Sequence, residues 1–224
     1  MPTCYIKHIE AAGAIPVPMN TLQMTDEEVV EFMGKVNGVF LTGGTINVIE
    51  KGKNTSRILQ KSRLIHDTAK EMNDRGIHFP IYGICQGIQE MGLNTMDDIS
   101  HFSIELFDHA NKCDSLTMAC DPAESWLLGD YPDYSELESE NVFFYHKNGI
   151  QLNDFFNDRG MKESWKVLGT CKDKNNVEMV ALMEHKQYPF FGTQFHPEKI
   201  MAEFHPEANM PHTEISYRIA HYLA

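Results

Sequence analysis

The sequence is short of positive charge. It sets 19 Lys and Arg against 32 Asp and Glu, a formal net charge of -13 with a pI of about 5.2. So acidic a chain offers no basic face to a phosphate backbone or an anionic bilayer, which excludes nucleic acid and membrane surfaces as partners. Cysteine is scarce as well. Five are too few for a disulfide scaffold, and an odd number leaves at least one unpaired within the chain. Spacing alone leaves a bridge between Cys113 and Cys120 open. No apolar run approaches the roughly 20 residues that span a bilayer. The opening stretch MPTCYIKHIEAAGAIPVPMN lacks the basic run, apolar core and small-residue cleavage site of a secretory leader. Internal repeats, low-complexity tracts and interdomain linkers are missing too. The 224 residues, 42% of them hydrophobic, suit one domain of ordinary size over 1–224 with ample core.

What is present alternates. Residues 4–12 carry Tyr5, Ile6 and Ile9 on one face of a helix that Gly13 stops. Thr25 with Glu28 three residues later is a capping box opening a second helix that runs to about Asn37. Gly38 to Leu41 is a buried strand ending at Thr42-Gly43-Gly44. Residues 55–75 form a long amphipathic helix, 78–84 the next strand, and a helix follows from Cys85. Segments 178–184 and 188–195 read as a late strand pair, 100–150 as short strands and loops, and 213–223 as a closing helix. This order predicts an α/β fold of three layers, a mostly parallel central sheet with helices on both faces. Doubly wound folds open on a strand, whereas this chain opens on a helix. The expectation is that the first strand is lacking because the sequence begins downstream of the natural start.

Gly83-Ile84-Cys85-Gln86-Gly87 lies between an apolar strand and a helix. That is the nucleophile elbow with Cys at the reactive position. A sharp strand-to-helix turn holds such a residue in a strained conformation that only small neighbours tolerate. The helix N-terminus beneath the sulfur favours a thiolate, and the backbone N–H of Gln86 points to where an oxyanion would form.

A thiolate needs an acid–base partner and that partner an orienting group. His196-Pro197-Glu198 directly follows the apolar strand ending at Phe195, the place where parallel sheets put chemistry. A second His-Pro-Glu, at His205 to Glu207, reads as loop, so His196 and Glu198 are preferred. His196, His205, His212 and Glu198 could alternatively hold a metal, but their spacing lacks the close ligand pairs of common zinc sites, and neither metal nor cofactor is expected.

Phe40 to Gly44, Pro80 to Gly87 and Tyr188 to Lys199 together resemble the class I glutamine amidotransferase-like fold, and more narrowly the gamma-glutamyl hydrolase family. Tyr5 to Ala14 is similar to that family's first helix, and Phe144-Tyr145-His146-Lys147 to its Phe-His-Lys segment. The resemblance implies cysteine-dependent cleavage of γ-glutamyl amides in folate polyglutamates through a thioester. It assigns Cys85, His196 and Glu198 as catalytic, Gly44 beside Gln86 as the second oxyanion donor, and Gly43 and His146 to substrate binding. It further implies a homodimer and a lysosomal, vacuolar or extracellular location. Where the family carries an acidic residue four positions past the nucleophile, this sequence has Gln89, with Glu90 next to it.

A polyglutamate is anionic, as is the chain. Charge acts weakly beyond about 8 Å at physiological salt, so the local balance decides. Segment 42–63 sets Lys51, Lys53, Arg57, Lys61 and Arg63 against Glu50. Lys51, Lys53 and Arg57 are therefore candidates to receive substrate carboxylates. Asn54-Thr55-Ser56 in the same loop is a glycosylation sequon. Two rival readings are a glutaminase or hydrolase of small γ-glutamyl amines, and a decayed paralogue that only binds.

Overall fold

The computed structural model describes residues 2–45, 48–49, 55–99, 102, 109–129 and 141–202. The closing helix expected over 213–223, the second His-Pro-Glu at 205–207, His212, Lys51, Lys53 and the sequon Asn54 lie outside them.

A six-stranded sheet runs through the described chain. Its strands are β1 (Val39–Leu41), β2 (Ile81–Ile84), β4 (Thr117–Met118), β6 (Trp165–Lys172), β7 (Glu178–His185) and β8 (Phe190–Thr193), in the order β1-β2-β8-β7-β6-β4. β1, β2 and β8 are parallel, while β7, β6 and β4 continue the sheet antiparallel. A separate antiparallel ribbon joins β3 (His109–Ser115) to β5 (Asn141–His146). The expected parallel order thus holds where the predicted site residues lie. The late strand pair is a short antiparallel return, for which a few residues suffice.

Alternation along the strands sorts side chains between two layers. Ile81, Met183 and Phe190 enter one core with Val29 and Met33 of α2 (Asp26–Met33), Leu59, Ile65 and Ala69 of α3 (Arg57–Asp74), and Ile88 and Met91 of α4 (Gln86–Thr95). Tyr82, Ile84, Leu182 and Phe191 enter the other, with Cys4 and Tyr5 of α1 (Thr3–Ala11) and with Val142 and Phe144 of β5. Each such side chain contributes roughly 1.5–3 kcal/mol on burial, so both faces need their cover. Short helices α5 (Leu152–Asn157), α6 (Arg159–Ser164) and α7 (Pro197–Ala202) complete the described elements, and α7 packs on α1. No described helix is long and apolar enough to cross a membrane.

The local signals form as the residues dictate. The Glu28 N–H donates to Thr25 Oγ1 at 3.2 Å and the Thr25 N–H to Glu28 Oε2 at 2.8 Å, both halves of the capping box. Ser56 caps α3 through the Leu59 N–H. Cys120 is a free thiol in the structure, and the Cys113 side chain of the bridge that spacing left open lies outside the described ones.

Candidate active site

The geometry begins with strand register. β2 and β8 are parallel neighbours paired Ile84 to Thr193, so their C-terminal ends emerge side by side. Cys85 leaves β2, and its N–H donates to the Thr193 carbonyl at 2.7 Å. His196 lies just past the end of β8, its N–H bonded to the Phe143 carbonyl of β5 at 2.8 Å. β1 pairs Leu41 with Gly83, which delivers Thr42-Gly43-Gly44 to the same edge. Three parallel strands therefore unload their motifs at one end of the sheet.

Cys85 has φ 53 and ψ -104, a left-handed conformation rare outside glycine, at the N-cap of α4. The elbow fits because its flanks have no side chains. A methyl group on Gly83 would stand 2.6 Å from the Gly87 carbonyl carbon, and one on Gly87 would stand 2.4 Å from the Leu41 oxygen. α4 can then start directly against β1 and β2.

His196 and Glu198 are 4% and 0% exposed, and Nδ1 of the imidazole lies 2.7 Å from Glu198 Oε1. Burial opposes a charge on this imidazole, but the Glu198 carboxylate and the Cys85 sulfur outweigh it, and its pKa is pushed up to about 10. Gly43 sits at the centre of the cluster. A methyl group there would lie 3.3 Å from Cys85 Cβ, 3.2 Å from His196 Cε1 and 2.5 Å from the Tyr5 hydroxyl. Cys85 and His196 thus meet at Gly43, with Glu198 bonded to the imidazole, while Gly44 packs against the Gln86 side chain, whose Oε1 would be 2.6 Å from a Gly44 methyl.

Tyr5 is a site residue whose sequence context shows only an apolar helix face. Its hydroxyl accepts from the Gly43 N–H at 3.0 Å, across 38 residues of chain. Burial, and then the nearby Glu198 and Cys85, raise its pKa far above the usual phenol range, so it remains a neutral O–H donor. No local pattern separates such a tyrosine from an ordinary core one. His8, one turn on, is fully buried against Phe40 and Tyr82, and burial lowers its pKa to about 4 against the opposing pull of Glu198.

His146 ends β5, buried, with Nδ1 2.9 Å from the Asn148 carbonyl. A carbonyl only accepts, so the neutral ring carries its proton on Nδ1. Gln89, the residue in place of the family's acid, donates to the same carbonyl at 2.8 Å and to Gln194 Oε1 at 3.2 Å, tying α4 to the segment behind His146. The preceding strand residue, Tyr145, turns its backbone carbonyl to the thiol, Sγ to O 3.9 Å, and its half-exposed ring lies 6.0 Å from the Lys199 ammonium. Lys199 is thus a cation at this edge from outside segment 42–63. Within that segment, Arg57 is the exposed first residue of α3. Lys61 is buried and bonded to the Met24 carbonyl and Asp26, 2.7 Å each, and Arg63 reaches the Leu93 carbonyl at 3.5 Å. Two of the five basic residues are thus committed to packing α2 and α4. Among the described residues no group of three or more His, Cys, Asp or Glu is arranged to hold a metal ion.

Comparison with known proteins shows what the chain is similar to. The chain is 28% identical to "Gamma-glutamyl hydrolase" of Rattus norvegicus over 98% of its own length and 67% of the relative's. It is 30% identical to "Gamma-glutamyl hydrolase 1" of Arabidopsis thaliana over 98% and 61%. With "Gamma-glutamyl hydrolase B" of Dictyostelium discoideum it shares 28% over 87% and 55%. The chain therefore spans from about half to two thirds of these relatives. The fold matches that of a Thermoplasma acidophilum protein described as a GMP synthase subunit, with TM-score 0.59 and 16% identity over 98% of this chain and 84% of that one. That likeness is of fold, the class I glutamine amidotransferase-like arrangement that the three parallel strands and the elbow already display. The family model of peptidase C26 matches residues 1–198, which takes in the elbow, the Gly43 turn and the His196–Glu198 pair, and the chain belongs to the peptidase C26 family.

Proposed function

We propose that this chain is a single-domain hydrolase of γ-glutamyl amide bonds, with folate polyglutamates as substrate class and Cys85 as nucleophile. The observation that carries the reading is the convergence of Cys85 and the Glu198-bonded His196 on Gly43 at the end of three parallel strands.

The Cys85 sulfur attacks the amide carbonyl carbon, and the carbonyl oxygen takes the electron pair. The backbone N–H groups of Gln86 and Gly44 receive it, each such donor lowering the barrier by about 3 kcal/mol. His196, held protonated by Glu198, gives its proton to the leaving nitrogen, and the C–N bond breaks to leave a thioester. His196 then takes a proton from water, the hydroxide attacks the thioester, and the thiol is restored with release of a carboxylate. Glu198 fixes the imidazole with the proton on Nδ1 throughout. His146 borders the acyl site, and the cations Lys51, Lys53, Arg57 and Lys199 receive the carboxylates of the tail. A lysosomal, vacuolar or extracellular enzyme is the setting this activity suits.

The test is release of glutamate from a polyglutamyl folate, with free glutamine as competitor and Cys85→Ala as control. Cleavage of the polyglutamate that Cys85→Ala abolishes is the expected result. Turnover of glutamine alone, or failure of a thiol-reactive glutamine analogue to label Cys85, overturns the reading. Neutralising Lys51, Lys53 and Arg57 together should raise KM for long tails, and an unchanged KM removes them from the site.

A further inference from the structure

Behind the oxyanion turn lies a buried carboxyl to which the reaction assigns no step. Glu90 is one helical turn beyond Gln86 on α4 and is 5% exposed. Gln86 Nε2 donates to Glu90 Oε1 at 2.9 Å, and the other end of that amide, Oε1, fills the space where a Gly44 side chain would stand. Glu90 also bonds Ser62 of α3, whose hydroxyl accepts from Asn94 Nδ2 at 3.1 Å. A chain of hydrogen bonds thus runs from Asn94 through Ser62, Glu90 and Gln86 and ends against the Gly44 turn.

We propose that Glu90 is a positioning residue of the oxyanion site: its carboxylate holds the Gln86 amide in place beneath Gly44, so that the backbone N–H groups of residues 44 and 86 keep the spacing an oxyanion needs. The physical basis is orientation. A carboxylate only accepts, so it selects the Gln86 NH₂ and turns the carbonyl end to Gly44. A protonated carboxyl both donates and accepts and no longer imposes that orientation. Its direct partners, Gln86 on its own helix and Ser62 on α3, are neutral. The nearby cation of α3, Arg63, is bonded to the Leu93 carbonyl. On the site side the titratable groups are Cys85, His196 and Glu198, which every variant below retains. Burial raises the Glu90 pKa to about 7 against the opposing bonds from Gln86 and Ser62, so the switch between the two forms falls near neutral pH.

The proposal rests on the acyl-transfer reading of Cys85, and the assay separates the two. Acylation of Cys85 by p-nitrophenyl acetate needs the thiol and the oxyanion turn but no γ-glutamyl group. In the native chain the acylation rate should fall about tenfold as pH drops through 7. Glu90→Gln presents a donor beside its acceptor at every pH, as the protonated carboxyl does, so its rate should lack that limb and stay near the native low-pH level while its KM is unchanged. Glu90→Ala should be at least tenfold slower at all pH values. A Glu90→Gln profile that keeps the native limb overturns the proposal, as does a folded Glu90→Ala protein acylating at the native rate. Where Glu90→Ala does not fold, the Glu90→Gln profile decides. A chain that shows this Glu90 dependence but leaves polyglutamate uncut would refute the substrate reading and keep the positioning role.

Discussion

The contact between Tyr5 and Gly43 yields a quantitative test of how the site is walled. Gly43→Ala would place a methyl group 2.5 Å from the Tyr5 hydroxyl, about 1 Å inside normal contact, while its distances to His196 Cε1 (3.2 Å) and Cys85 Cβ (3.3 Å) are only tight. Tyr5 is 4% exposed and its ring packs edge-on against Phe40 at 5.7 Å, so the phenol has little room to retreat. Either it moves and gives up the Gly43 N–H, or the turn moves and carries Gly44 away from Cys85. The second outcome removes one oxyanion donor, a loss of about 3 kcal/mol or 10²-fold in kcat. Tyr5→Phe deletes the obstructing oxygen but leaves the Gly43 N–H without its acceptor, a cost of about 1–3 kcal/mol. The two changes should therefore be non-additive. Gly43→Ala should lose about 10²-fold in kcat in the native background and no more than about tenfold in the Tyr5→Phe background, a coupling of roughly 1–2 kcal/mol. The measurement is kcat for polyglutamate cleavage across the four-protein cycle, with thermal unfolding to verify that each protein is folded. Equal losses from Gly43→Ala in both backgrounds would refute the steric argument.

Two further outcomes follow from the buried imidazoles. Glu198→Gln removes the carboxylate that keeps His196 protonated, so the alkaline limb of kcat should move down from about 10 and kcat should drop about 10³–10⁴-fold, as when a triad carboxylate becomes an amide. A loss under tenfold with an unmoved limb contradicts the assignment. His185 accepts the Gln187 and Tyr188 N–H groups at its Nδ1 and packs on His66, Trp165 and Phe190; burial, with His66, Lys70 and Lys186 adding to it, lowers its pKa to about 3. The unfolded chain binds this proton near pH 6.5 and the folded chain does not, so stability is full above 6.5 and declines as pH falls toward 3. Discounted for residual solvent screening, the loss is roughly 2 kcal/mol. Urea midpoints at pH 7 and pH 4 should differ less in His185→Asn, which keeps an acceptor that does not titrate; the same difference in both proteins would exclude His185.

What was legible in the sequence was whatever a few adjacent residues decide. Thr25 and Glu28 cap each other, Gly83 and Gly87 make room for the elbow, and Pro197 links an imidazole to its carboxylate within three residues. Strand β6 is not legible because Trp165-Lys166-Val167-Leu168-Gly169-Thr170-Cys171-Lys172 has no period of two, being buried on both faces of an inner strand. By charge alone Lys61 and Arg63 resemble their neighbours in 42–63, although the helix turns them toward α2 and α4. Tyr5 and Glu90 expose the deeper limit. Each is an ordinary residue on an ordinary helix, and each touches the site only because β1 pairs with β2 in one register, Leu41 against Gly83. A slip of one residue would reverse which side chains face α1 and would carry Gly43 away from the Tyr5 hydroxyl. The proposed nucleophile and base are thus written locally, whereas the wall proposed to receive the oxyanion is written in strand pairing, and that is where substitutions remote in sequence should alter catalysis without touching the Cys85–His196–Glu198 cluster.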